Sequence, residues 1–157
     1  MKHPGSKSIG WALLQAARLH RGRMGDKLAE LGLFAGQEQV IQALAAQGLM
    51  SMGDLATILR VRPPTASKTV SRLSSLGLVE RRAEAGDARI VRVQLTEAGM
   101  ERAKEIATLW NDVEDELLAG FDSKDRKRMR KLLRKAAKNL ADLTGADIRG
   151  LEAVEED

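Results

Sequence analysis

The chain has 157 residues, 43% of them hydrophobic and 31% charged, with a formal net charge of +4 and no cysteine. That length covers one domain, or one plus an appendage, with enough apolar content for a real core in an ordinary soluble globular class. Disulfides and thiol-based sensing are excluded, no window approaches the ~18 consecutive apolar residues of a membrane span, and Met1-Lys-His-Pro-Gly-Ser6 lacks the apolar stretch of a secretory signal, so a cytoplasmic location is expected.

From about Ser8 to Leu31, the residues Ile9, Leu13, Ala16, His20, Met24 and Leu28 recur at steps of three and four. This predicts a helix with that stripe on its inner face, stopped by Gly32. His20 reads either as a buried, hydrogen-bonded histidine or as a donor to a carboxylate or phenol ligand. A shorter helix runs from about Gln37 to Ala46 and ends at Gln47-Gly48, after which Ser51 is placed to cap the next.

That next helix is Asp54-Leu-Ala-Thr-Ile-Leu-Arg60, with Leu55, Ala56 and Leu59 on one face and Val61 and Arg62 making a tight turn. Pro63 and Pro64 open another helix, because a missing backbone N–H costs little in a first turn. In Thr65 to Leu73 the spacing turns Ala66, Val70 and Leu73 inward and leaves Thr65, Ser67, Lys68, Ser71 and Arg72 outward, with no acid from Thr65 to Ser75. A short, polar, cationic and acid-free face suits a helix lying in a major groove, where hydroxyls reach phosphates or base edges and Lys or Arg reaches guanine acceptors. Gly77 closes the helix.

Leu78-Val-Glu-Arg-Arg82 and Ile90-Val-Arg-Val-Gln-Leu95 read as two strands of a hairpin, with Ala83 to Arg89 as the connecting loop. Arg89 near the tip reads either as a solvated cation or as a minor-groove contact whose guanidinium is oriented by Asp87. The DNA-contact set expected from this stretch is Pro64, Thr65, Ser67, Lys68, Ser71, Arg72, Arg82, Asp87 and Arg89. Charge is concentrated there: between Arg60 and Arg92 eight basic residues face three acids, while the rest of the chain is close to neutral.

Thr96 is placed to cap a long helix with the stripe Ala103, Ile106, Trp110, Val113 and Leu117. Gly120-Phe-Asp122 interrupts it, and Asp122 or Ser123 caps a last helix carrying Met129, Leu132, Leu133, Ala136, Leu140 and Leu143. Nine cations lie between Lys124 and Lys138 with Asp125 the only acid. Spread around all sides of a helix, they read as a solvated face, as a DNA contact, or as partners for Asp112, Glu114, Asp115 and Glu116. The expected organisation is an N-terminal dimerisation helix (1–34), a DNA-binding domain (35–96), C-terminal dimerisation helices (97–145) and a mobile acidic tail (146–157).

An enzyme is not expected. The chain has no Cys, no Tyr, no glycine-rich phosphate loop and only His3 and His20 as imidazoles, so neither catalysis nor a metal or cofactor has a candidate set of groups. The fold class is mainly α with a small β-hairpin wing: a winged helix-turn-helix plus a helical dimerisation region. The terminal helices each carry an apolar stripe that a small winged domain cannot cover, which predicts a homodimer.

In Asp54-Leu-Ala56, Ser71-Arg-Leu73, Leu76-Gly-Leu-Val-Glu-Arg81, Asp87 with Arg89, and Val93-Gln-Leu-Thr-Glu-Ala-Gly99, the chain resembles the multiple-antibiotic-resistance regulator (MarR) family of bacterial transcription factors. Ala88 departs from the pattern, since many relatives carry a second basic residue there. The resemblance implies a triangular two-fold dimer on double-stranded, near-palindromic DNA, with recognition helices about one turn, ~34 Å, apart. The expected function is a sequence-specific regulator, a repressor released by a small aromatic or anionic effector. Trp11, His20 and Trp110 are the side chains expected to hold that effector, meeting only across the interleaved dimer. The alternative is a constitutive or architectural DNA-binding protein without effector, which the scarcity of aromatic residues (two Trp, two Phe) keeps open.

Overall fold

Helix ends in this chain are written in short side chains and glycines, and the computed structural model, which describes Gly5 and residues 7–145, follows them closely. His3 and the acidic segment 146–157 lie outside the described residues. Helix α1 spans Ile9–Glu30, capped by Ser8, whose hydroxyl accepts from the Trp11 N–H at 3.2 Å. At its end Gly32 takes a left-handed φ of 70°, and the N–H groups of Gly32 and Leu33 turn back to the carbonyls of Ala29 and Leu28. Helix α2 (Gln37–Gln47) follows; its buried Gln37 and Glu38 accept from the N–H groups of Phe34 and Gly36, so neither polar group is left unsatisfied.

Strand β1 is only Met50–Ser51, too short for any periodic signal in the sequence. Ser51 is at once its end and the cap of α3 (Met52–Leu59), accepting from the Asp54 N–H at 3.1 Å. The helix therefore starts two residues before Asp54, because the cap sets its first turn. After Arg60 to Arg62, α4 spans Pro63–Ser75 with both prolines in its first turn. Gly77, at φ 72°, ends it by the same backward bonds that end α1, from Gly77 to Ser74 and from Leu78 to Leu73.

Strands β2 (Val79–Glu84) and β3 (Asp87–Leu95) form the hairpin, and the sheet order is β1-β3-β2, all antiparallel. The expected loop from Ala83 to Arg89 shortens to Ala85 and Gly86, the latter at φ 98°. The pairs Ala83↔Val91 and Glu84↔Asp87 leave Ala88, Arg89 and Ile90 without partners, an irregularity that interrupts the alternation sequence reading relies on.

Helix α5 spans Glu97–Leu117. Thr96 fastens its start: the hydroxyl donates to the Gly77 carbonyl at 2.6 Å and accepts from the Gly99 N–H at 3.1 Å, while the Thr96 N–H donates to Leu78. Gly99 must be glycine for a steric reason, since a Cβ there would sit 2.0 Å from the Leu78 carbonyl oxygen. Farther along, the Arg102 guanidinium donates to the Leu31 carbonyl at 2.6 Å, filling an acceptor left open at the end of α1.

The boundary between the chain's two units falls between Asp115 and Glu116. In the first unit one core joins Leu28, Val40, Ile41 and Leu44 to Leu55, Val70 and Leu73, and these to Val79, Val93, Ile106 and Val113. Two expected stripes change here. In α1 only Met24 and Leu28 are buried, while Ile9 is 85% exposed and Leu13 and Ala16 are also exposed. In α5 the buried face is Ile106, Leu109 and Val113, and Trp110 and Leu117 are exposed. Periodicity identifies a helix face but not how much of it a neighbour reaches. In the second unit, α6 spans Ser123–Thr144, with the Asp122 carboxylate accepting from the Asp125 N–H at 2.7 Å. Of its expected apolar stripe, Leu132, Leu133, Ala136, Leu140 and Leu143 are exposed and Met129 is half-buried; Ala141 is buried instead.

Candidate nucleic-acid interface

Helix α4 sorts its residues as its spacing demands: Ala66, Val70 and Leu73 are buried, and Pro64, Thr65, Lys68, Ser71 and Arg72 are exposed. Ser67 is half-buried. Lys68 and Arg72 have no hydrogen-bond or acidic partner among the described residues, so their charges point to solvent uncompensated. The helix is held from three sides, by α3, by α2 and by β2, and presents only this outer face.

One contact was not assigned from the sequence. Arg81, on β2, donates through Nη2 to the Ser71 hydroxyl at 2.8 Å and to the Ser67 carbonyl at 3.3 Å. Ser71 is thus tied to the wing in the free chain. The signal was available in the strand period, since Arg81 lies two residues from buried Val79 and shares its face, the one turned to α4. Arg81 and Arg82 therefore part company. Arg82 is exposed and paired in register with Arg92, whose own charge is met by Glu84 at 3.1 Å.

At the wing tip, Asp87 holds Arg89 at three points. Its carboxylate accepts from the Arg89 backbone N–H at 3.0 Å, from Nε at 3.1 Å and from Nη2 at 3.5 Å. These bonds, the backbone one foremost, hold the Asp87 carboxyl below its ordinary value of 3.8. Arg89 nevertheless stays 91% exposed in its side chain, so the pair aims a cation outward without burying it. Fixing the guanidinium in advance reduces the rotamer freedom lost on binding.

The expected effector residues are only partly brought together. His20 and Trp110 are in ring contact within one chain, centroids 5.6 Å apart and planes tilted by 50°, whereas the expectation from sequence was that such positions meet only across a dimer. Arg102 reaching the end of α1 and His20 meeting Trp110 show α1 and α5 approaching within the first unit, so residues ninety apart in sequence become neighbours. Trp11 lies nine residues before His20 on α1, about 13 Å along the axis. A separate open groove of about 290 Å³ is lined by Gln47, Leu49, Met50, Asp54, Thr57 and Ile58, and includes none of the three. Among the described residues no cluster of metal-ligating side chains occurs, and no helix is long and apolar enough to cross a membrane.

Comparison with known proteins agrees with this geometry. The MarR family profile matches residues 35–90, from α2 into the wing. The HTH-type transcriptional regulator YwoH of Bacillus subtilis is 32% identical over 120 residues, covering 76% of this chain and 87% of the relative. Two solved structures share the fold: a mutant of E. coli MarR complexed with operator DNA (TM-score 0.71, 23% identity, 82% of this chain and 92% of that one), and BpsR of Bordetella bronchiseptica, whose DNA binding is regulated by 6-hydroxynicotinic acid (TM-score 0.73, 24% identity, 87% and 98%). The winged helix-turn-helix and the relatives agree, and the chain belongs to the MarR family of DNA-binding transcriptional regulators.

Proposed function

We propose that the chain acts in the cytoplasm as a homodimeric repressor that reads a near-palindromic operator and is released by a small aromatic or anionic effector. The observation that carries the DNA part is the acid-free outer face of α4 beside an Arg89 held outward by Asp87. In this reading α4 enters the major groove, with Thr65, Ser67, Lys68 and Arg72 within reach of bases and phosphates and Pro64 at its mouth. Ser71 acts through Arg81, and Arg82 and Arg89 follow the wing along the backbone and minor groove. The domain division at 34/35 and 96/97 belongs to the same proposal.

Dimerisation is supported by exposed apolar residues on the terminal helices, Ile9, Leu13 and Leu19 on α1 and Leu132, Leu140 and Leu143 on α6. For the effector, the tilted His20 and Trp110 rings offer a stacking surface beside an imidazole donor, chemistry suited to a planar acid such as the one that regulates BpsR. Trp11 belongs to this site only if a partner subunit supplies it. The reading without effector retains one observation in its favour, the small number of aromatic side chains.

Selection of duplexes from a random pool tests the core of the proposal: the recovered sites should be inverted repeats with half-sites about one turn apart. On such a site Lys68→Ala is expected to cost about 1–3 kcal/mol and relax one base position, and Arg89→Ala to weaken binding with little change in preference. Uniform loss across all sequences for Lys68→Ala, or wild-type affinity for Arg89→Ala, overturns the assignment. A planar acid that releases the operator should quench or shift tryptophan emission in the wild type and fail to release His20→Ala.

A further inference from the structure

Helix α6 has three faces. With about 100° per residue, Lys124, Arg128, Lys131, Lys135 and Lys138 fall within about 80° of one another. The exposed leucines Leu132, Leu133, Leu140 and Leu143 centre about 130° away on one side, and half-buried Ala137 and buried Ala141 about 120° away on the other. The cations therefore leave the leucine side empty; exposed Lys127 lies about 20° beyond Lys138, and exposed Arg130 lies on the alanine side. Arg126 and Arg134, toward the alanine side, have interactions within the chain. The five residues of the row are all exposed and have no acidic partner among the described residues.

Such a row is costly to the free protein. Lys124 with Arg128 and Lys131 with Lys135 are like charges four apart, Arg128 with Lys131 and Lys135 with Lys138 three apart, and each pair destabilises the helix. Lys124 also stands in the first turn, where the helix dipole disfavours a cation. An ordinary solvated face relieves this with interspersed acids; none occurs from Arg126 to Ala141, and the acids at either end, Asp125 and the exposed Asp142 four residues beyond Lys138, make no ion pair with the row among the described residues. The leucine face centres about 130° from the row, so a partner seated on the leucines does not have to cover it, although Leu132 at the near edge is only about 40° from Arg128.

We propose that this row is a second, sequence-independent contact surface for the phosphate backbone of duplex DNA. Its length of ~21 Å matches a stretch of duplex that carries about a dozen phosphate charges on its two strands, of which only those on the near side meet the row. Duplex fits better than single strand because α6 carries no aromatic side chain on which bases would stack. On a lipid surface the leucines would enter the bilayer and the row would lie among the headgroups; that is the competing occupant, and binding to vesicles separates it from DNA. The proposal rests on the chain's DNA binding but not on the operator, dimer or effector reading above.

The test uses the full chain and a random-sequence 40-base-pair duplex, titrated across potassium chloride concentrations from about 50 to 300 mM. Replacing all five residues with glutamine (Lys124→Gln, Arg128→Gln, Lys131→Gln, Lys135→Gln, Lys138→Gln) should flatten the plot of log affinity against log salt by about 0.9 for each phosphate no longer neutralised, two to four units in all. Changing the four lysines to arginine should keep the wild-type slope. A Lys68→Ala, Arg89→Ala double variant should lose only the slope contributed by α4 and the wing and keep the α6 share, which separates this surface from the reading head. Because neutralisation removes repulsion, the glutamine variant should melt no lower than wild type; should it melt lower, Lys131→Gln alone carries the test with an expected drop of about 0.9. An unchanged slope overturns the proposal. So does loss of binding to phosphatidylserine vesicles with the DNA slope intact.

Discussion

Helices α4 and α6 are both amphipathic, but they resolve their apolar residues in opposite ways. Every inward residue of α4, Ala66, Val70 and Leu73, is buried within the chain's own core. In α6 Leu143 remains 83% exposed and Leu140 62%, and only Ala141 is buried. The reading head thus completes its packing alone, whereas the last helix carries a hydrophobic face that a single chain leaves open. Stability of the first should depend on the chain, and stability of the second on what covers it.

The largest expected effect is at the centre of that contrast. Leu73→Ala removes a fully buried side chain and should cost about 2–5 kcal/mol, at every protein concentration. In the proposed dimer, Leu140→Glu should leave melting of a dilute sample nearly unchanged and instead reduce the mass seen by light scattering at micromolar concentration from twice the chain mass to once. A Leu73→Ala penalty that disappears on concentration, or a Leu140→Glu chain that still scatters as wild type, breaks the comparison.

Gly99→Ala probes the joint where α5 leaves the reading head. With a Cβ placed 2.0 Å from a backbone oxygen, α5 must move, at a cost of about 3 kcal/mol. Calorimetry measures it, and a penalty below that of an exposed helix substitution would show that the close approach relaxes freely.

Smaller is the link between wing and α4. A double-mutant cycle on Arg81→Ala and Ser71→Ala should return a coupling of about 1 kcal/mol in DNA affinity. Additive single effects would mean that Arg81 and Ser71 act separately, and that the hydrogen bond has no part in aligning the helix.

The smallest effect concerns pH. Arg89 lowers the Asp87 carboxyl, so the stabilisation from their pairing is fully present above the ordinary value of 3.8 and is lost only as pH falls through the lower, folded value. Wing contacts are therefore expected to be constant from about pH 5 to 8. Titration of Asp87 followed by NMR checks this, and a midpoint at or above 3.8 would contradict the geometry.

Much of this was legible in the sequence because the signals are local. Ser8, Ser51, Thr96 and Asp122 cap by reaching N–H groups three residues on, or fewer, and Gly32 and Gly77 supply a positive φ that most side chains resist. The outward set of α4 follows from a period of 3.6 residues alone. Arg60 shows where local rules yield: it ends α3 at φ 54°, a conformation usual for glycine, with its N–H and that of Val61 donating back to the carbonyls of Thr57 and Ala56.

What only the tertiary structure decided is whatever depends on two distant segments arriving together. Two-residue β1 exists because Val93 and Arg92 offer it a register, and no period can be read from two residues. Arg81 reaches Ser71 because the hairpin folds back over α4, and His20 meets Trp110 because α1 and α5 share a core. The sequence by itself determined where helices begin, end and turn their apolar faces, since those depend on neighbours within four residues. Which faces find cover, and which side chains meet across the fold, was decided by packing, because burial is a property of the partner surface as much as of the residue.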